Sequence, residues 1–174
     1  MKVILVRHGE PRYDEVTARG FVGLGGGFGR LTAEGEAQAL ARASDPVFKG
    51  ATIIVASPYT RALQTAAVIS RITNIPLTVE HDLHEWSDDT LFKFDQPIQE
   101  SYDAYIKNRG VMKENTKYRY ETYENLRKRV LESIKKYKNH DKIIVVCHGV
   151  VISSLTHFED LIGFCETREI DLNL

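Results

Sequence analysis

The chain has 174 residues, 43% of them hydrophobic and 27% charged, with a formal net charge of −1. That composition fits a soluble globular protein long enough to bury a core, and the near-zero charge predicts no bulk attraction to nucleic acid or to an anionic membrane. Two cysteines, Cys147 and Cys165, give no disulfide framework, and no apolar run approaches the ~20 residues of a membrane span.

The first strand begins at once and leaves no room for a signal peptide, so one cytoplasmic domain over residues 1–174 is expected. Val3-Ile4-Leu5-Val6 is an apolar run of strand length that stops at Arg7-His8-Gly9-Glu10. Pro11 ends regular strand pairing, and residues 11–30 read as loop. Within them, Gly20 to Gly29 is dense in glycine. It does not follow a strand directly and lacks the Gly-Lys-Ser/Thr ending of a phosphate-binding P-loop, so it reads as a mobile surface loop beside the site.

Thr32 is placed to cap a helix that ends at Asp45-Pro46. Residues 52–56 form the next strand. Ser57 is then expected to cap a helix with Pro58 at its first position and Arg61 in its first turn. Asn74-Ile75-Pro76 breaks that helix, and Leu77-Thr78-Val79 is a short strand. Residues 82–121 show no clear periodicity and are expected to form a lid or insertion over the sheet edge. Tyr123, Leu126, Val130, Ile134 and Tyr137 then make one apolar helical stripe. Arg127, Lys128, Lys135 and Lys136 lie off that stripe and read as a solvated face, because acidic residues are interspersed.

Ile143-Ile144-Val145-Val146 repeats the opening design and stops at Cys147-His148-Gly149. The end, Thr167 to Leu172, alternates like a half-exposed edge strand. This order predicts an α/β three-layer sandwich: a mostly parallel sheet, helices on both faces, and a small helical or loop insertion near residues 86–121.

Three buried strands thus each deliver histidine or arginine to one sheet edge, where open α/β sheets bind ligands. Arg7, Arg61, His8 and His148 make a cluster suited to a phosphate dianion, since guanidinium groups grip phosphate bidentately. Neighbouring arginines disfavour a charged His8 and so keep one ring nitrogen free as a nucleophile toward phosphorus. Glu85, next to Trp86, is the candidate proton donor to a leaving alkoxide, with Asp88 and Asp89 as the fallback. His81 and His84 do not complete a metal-ligand set, so no metal and no cofactor are expected. Cys147 and His148 are adjacent on a strand and point to opposite faces, so Cys147 reads as a small core residue.

These residues resemble the histidine phosphatase superfamily, in its phosphoglycerate-mutase-like branch. Arg7-His8-Gly9-Glu10 is similar to that family's opening motif. The matches continue in order with Leu31-Thr32, Gly35 and Gln38-Ala39, then Ser57-Pro58, Arg61-Ala62 and Gln64-Thr65-Ala66. Glu121-Thr122 with Arg129-Val130, and finally His148-Gly149, complete them. Pro11-Arg12-Tyr13-Asp14 and Trp86-Ser87-Asp88-Asp89-Thr90 depart from the family pattern.

The resemblance implies a metal-independent phosphomonoester hydrolase acting on a small phosphorylated metabolite. His8 would become phosphohistidine. Arg7, Arg61 and His148 would bind the phosphoryl group, and Glu85 would protonate the leaving oxygen. The alternatives are a phosphoglycerate mutase and a non-catalytic phospho-ligand binding module. Neither nucleic acid nor membrane is an expected partner.

Overall fold

Side-chain alternation along the first strand sets up three layers. Val3 and Leu5 pack into one apolar cluster and Ile4 and Val6 into another, and all four are fully buried. The computed structural model describes residues 1–173. In chain order its elements are β1 (Lys2–Arg7), β2 (Pro11–Arg12), α1 (Asp14–Ala18), β3 (Arg30–Leu31), α2 (Ala33–Ala43), β4 (Ile54–Ala56), α3 (Thr60–Thr73), β5 (Leu77–Val79), α4 (Ile98–Lys107), α5 (Tyr123–Lys135), β6 (Lys142–Cys147), α6 (Gly149–Leu155) and β7 (Thr167–Asp171).

The main sheet has the order β5-β4-β6-β1-β7. Its first four strands are mutually parallel, and β7 lies antiparallel on the edge against β1. On one face Leu126, Val130 and Ile134 of α5 pack with Val151 and Ile152 of α6 against Val3, Leu5, Ile143 and Val145. On the other, Ala62, Ala66 and Ile69 of α3 and Ala43 of α2 pack against Ile4, Val6, Ile144 and Val146. Each such branched side chain contributes about 1.5–3 kcal/mol on burial. The expected α/β sandwich and edge strand are therefore present.

Helix ends follow local chemistry. Thr32 accepts from the Gly35 N–H at 2.9 Å, and Thr122 accepts from the Asn125 N–H at 3.2 Å, so each caps its helix. Asn74 closes α3 in the left-handed region at φ 58°.

Two expectations need correcting. Residues 11–30 are not plain loop. Pro11 and Arg12 pair with Leu31 and Arg30 in a two-stranded ribbon, a short helix spans Asp14–Ala18, and Gly23–Phe28 coils as a 3₁₀ turn. Proline is tolerated there because a two-residue ribbon needs few donors. Second, Ser57 does not cap α3. The helix starts at Thr60 behind Tyr59, so Pro58 stands outside it, and the Ser57 hydroxyl turns to His148 instead. The glycine-rich run keeps the surface place expected of it, with Phe21, Val22, Leu24 and Phe28 exposed, and is anchored where Gly27 is buried against Tyr59.

Candidate active site

Register alone brings the two histidines together. β1 and β6 pair with Arg7 opposite Cys147, so His8 and His148 are the next residues on adjacent parallel strands. The His8 N–H donates to the Cys147 carbonyl at 3.1 Å, and the two rings stand 5.2 Å apart, edge to face. Arg61 reaches the same point from the first turn of α3, so the four residues expected to converge do converge.

His8 is 4% exposed. Its Nδ1 faces the Gly9 carbonyl at 2.7 Å, and Arg61 Nε donates to its Nε2 at 3.1 Å. That pattern puts the proton on Nδ1 and leaves Nε2 as the lone-pair nitrogen. Burial, with Arg61 and Arg7 beside it, lowers the His8 pKa to about 3. The ring is therefore neutral across the physiological range.

His148 is fully buried, with Nε2 2.7 Å from Ser57 Oγ. When that hydroxyl donates, the His148 proton sits on Nδ1, which has no protein partner. Burial first, then Arg61 and His8, holds this histidine well below its ordinary pKa. Arg7 donates from Nη1 to the Ile162 carbonyl at 2.6 Å and lies over the Phe164 ring at 4.3 Å, while its buried Nε has no partner. A buried donor left unmade is costly, and among the described residues two of the four such side-chain atoms belong to this cluster. Arg61 is 6% exposed and lies near the Tyr59 ring at 5.1 Å. A tetrahedral anion would satisfy these donors together.

Glu85 lines a cavity with Arg7. Desolvation raises its pKa, opposed by the Trp86 N–H at 2.8 Å and by Arg61, Arg129 and Arg7. The fallback pair separates cleanly. Asp89 is fully buried and held far below the usual carboxylate range by a two-pronged contact with Arg119, and it also accepts from the N–H groups of Leu91, Lys93 and Phe94. It anchors the insertion and has no proton to give. Asp88 has its pKa raised by burial, but it lines a different cavity, with Tyr13 and Phe94.

The sequence reading missed the scaffold behind the acid. Arg129 on α5 donates to the carbonyls of Asp82, His84 and Glu85 and grips both carboxylate oxygens of Glu121. Glu121 in turn accepts from the Ser87 N–H, and its carbonyl accepts from Trp86 Nε1. The pair lay in a matched motif with no role given to it. The opening loop is similarly braced. Gln38 accepts from the Glu10 N–H, and Thr65 accepts from the Gly9 N–H. Gly9 leaves no room for a side chain, since a Cβ there would lie 2.4 Å from the Gly35 carbonyl oxygen.

Cys147 and Cys165 are buried free thiols. Among the described residues one group, Glu80, His81 and Asp82, brings possible metal-binding atoms within 4.8 Å of one another. Lys136 already donates to Glu80 there, and His84 is not part of it: its Nδ1 faces the Glu85 carbonyl. No helix among the described residues is long and apolar enough to cross a membrane.

The family model for the histidine phosphatase superfamily, branch 1, matches residues 3–161. The chain belongs to that superfamily. Solved structures agree on the fold of this histidine phosphatase superfamily member. Native mycobacterial glucosyl-3-phosphoglycerate phosphatase superposes with a TM-score of 0.72 at 18% identity, over 98% of this chain and 89% of the other. A putative alpha-ribazole-5'-P phosphatase from Escherichia coli K-12 gives 0.69 at 20% identity, over 99% and 91%. The mycobacterial enzyme bound to inorganic phosphate gives 0.64 at 19%, over 89% and 76%. Among curated proteins none matches the chain.

Proposed function

We propose that this protein is a metal-independent phosphomonoester hydrolase working through phosphohistidine at His8. One observation carries the reading: a buried, neutral imidazole whose free Nε2 faces Arg61, flanked by unpartnered donors on Arg7 and His148. A module that only held phosphate would have no use for a nucleophile kept neutral at such cost in desolvation.

In this reading the phosphoryl group displaces Arg61 Nε from His8 Nε2 and takes up the free donors of Arg7 and His148. Nε2 attacks phosphorus as the ester P–O bond breaks. The Glu85 carboxyl, whose pKa desolvation raises, gives its proton to the leaving oxygen, and the free alcohol departs. The Nδ1–H directed at the Gly9 carbonyl stabilises the positive charge that develops on the ring. Water then attacks the phosphohistidine and Glu85 accepts its proton. The P–N bond breaks, releasing inorganic phosphate and neutral His8. Charge on the transferring group is met throughout by two guanidinium groups and the His148 donor.

The test is hydrolysis of p-nitrophenyl phosphate in excess EDTA. Turnover is expected to persist. Loss of activity that zinc or magnesium restores overturns the metal-independent assignment, and no turnover under any condition overturns the hydrolase.

A further inference from the structure

Two cavities flank the histidine cluster, and their charge is unlike its own. The first, about 190 Å³, opens from Arg7 and Glu85 and is walled by Tyr102, Ile106, Val150 and Leu161, with Tyr105 and Glu159 also on its lining. Tyr105 is 1% exposed, and its hydroxyl has no partner. Glu159 is exposed and has no ion-pair partner among the described residues. Burial first, then the charges of Glu85 and Glu159, raises the pKa of Tyr102 on the same lining. The other acid on this lining, Asp160, is neutralised by Arg168.

The second cavity, about 300 Å³, is lined by Tyr13, Phe21, Phe94 and Asp88, and the buried Oδ2 of Asp88 is also unpartnered. Tyr13 joins it to the cluster, since the Arg61 guanidinium lies 5.8 Å from its ring.

Neither lining holds a cation other than Arg7. Arg12 is bound to Asp14, Arg30 to Glu15, Arg119 to Asp89 and Arg129 to Glu121. Lys93 and Arg109, which carry no ion pair on the neighbouring segments, line neither cavity. An alcohol part that enters either cavity therefore meets a carboxylate without an ion-pair partner, Glu159 in the first or Asp88 in the second, and no cation beyond the phosphate-binding Arg7. A second anionic group would be repelled, while the orphaned Tyr105 hydroxyl suits a neutral hydroxyl.

We infer that the cavity beside Arg7 and Glu85 receives the alcohol of the substrate and selects a neutral, hydroxyl-bearing alcohol over one that carries a carboxylate or a second phosphate. The inference rests on the hydrolase reading for its orientation, because the leaving oxygen must lie against Glu85. It disfavours phosphoglycerates and, with them, the mutase alternative.

Glycerol 3-phosphate and 3-phosphoglycerate share a three-carbon skeleton and differ in the carboxylate, so they isolate the charge effect. The expected result is a kcat/KM at least ten-fold higher for glycerol 3-phosphate. Glu159→Lys is expected to move that ratio several-fold toward the glycerate. Tyr105→Phe is expected to lower the ratio of glycerol 3-phosphate to p-nitrophenyl phosphate turnover. Equal or reversed preference in the wild-type protein overturns the inference while leaving the hydrolase intact. If p-nitrophenyl phosphate is not cleaved, the hydrolase reading falls and the same two esters are compared by calorimetric affinity for the wild-type protein. Tighter glycerol 3-phosphate binding then upholds the charge selection. Equal affinity, tighter glycerate binding or no binding of either overturns it.

Discussion

The strand-end cluster and the rim above it obey different rules. Arg7, His8, Arg61 and His148 sit where β1 and β6 and the first turn of α3 meet, and three of the four are less than a tenth exposed. Their positions follow from sheet register and helix phase, which the hydrophobic core enforces. The rim, residues 11–30 and 86–121, is held by side-chain to backbone contacts: Asp89 to three N–H groups, Gln96 to Arg119 N–H, Tyr13 against Gly29. It exposes Phe21, Val22, Leu24, Phe28, Leu91 and Phe92. A phosphoryl site needs a fixed set of donors at fixed distances, whereas an alcohol site needs a shape and a charge. The first is written into the regular elements and the second into loops.

If the division is real, substitutions in the cluster must affect every substrate alike, and those in the rim must sort substrates. The largest effect is expected at His8→Ala, which should reduce turnover of all phosphomonoesters to background. A variant retaining a substantial fraction of the rate would move the nucleophile elsewhere. Arg61→Ala comes next, with about 10²-fold or more lost in kcat/KM whatever the leaving group. A loss confined to one substrate would place Arg61 in the rim.

Glu85→Gln lies on the boundary and sharpens it. Glycerol 3-phosphate, whose alkoxide leaves poorly, should lose on the order of 10²-fold, whereas p-nitrophenyl phosphate should be nearly unchanged because its phenolate leaves without a proton. Uniform loss would mean that Glu85 is structural. Asp88→Asn showing that leaving-group pattern in its place would move the acid to the second cavity.

Much of this was legible in the chain. Four apolar residues followed by Arg-His-Gly, and the same design repeated at Cys147-His148-Gly149, located the cluster, because a buried parallel strand can end only at a sheet edge. The ribbon formed by Pro11–Arg12 and Arg30–Leu31 was not legible, since two-residue strands have no periodicity. Ser57 misled because Ser-Pro is a strong cap signal, and only the register of β4 against β6 reveals that His148 competes for its hydroxyl. The sequence offers Asp89 only as a fallback acid, and Glu121 only as part of a matched motif with no role. Their roles depend on Arg119 and Arg129, which are 30 and 8 residues away.

The Arg129–Glu121 brace offers a stability test of the boundary. Both side chains are mostly buried, so Arg129→Leu leaves Glu121 unpaired and should cost about 3 kcal/mol in denaturant unfolding. A cost near zero would mean that the acid loop stands without it.

The last stability test is a dependence on pH. His8, His84 and His148 all have lowered pKa values in the fold, chiefly through burial. Unfolded histidine titrates near 6.5. Between that value and the folded pKa the unfolded chain binds more protons, so stability is full above about pH 6.5 and falls as pH drops below it. The slope approaches about 1.4 kcal/mol per pH unit for each such histidine. Urea unfolding at pH 7.5 and 5.5 should show the loss, and a flat profile would contradict a cluster built from neutral, buried imidazoles.

The central claim is covalent chemistry at one nitrogen. Mixing the wild-type protein with a phosphomonoester, quenching in alkali and mapping the phosphate by mass spectrometry and phosphorus NMR tests it most directly. The account predicts an acid-labile, base-stable phosphate on Nε2 of His8, because Nδ1 is committed to the Gly9 carbonyl. Turnover with no trapped phosphate, or phosphate on Nδ1 of His8 or on His148, would contradict it.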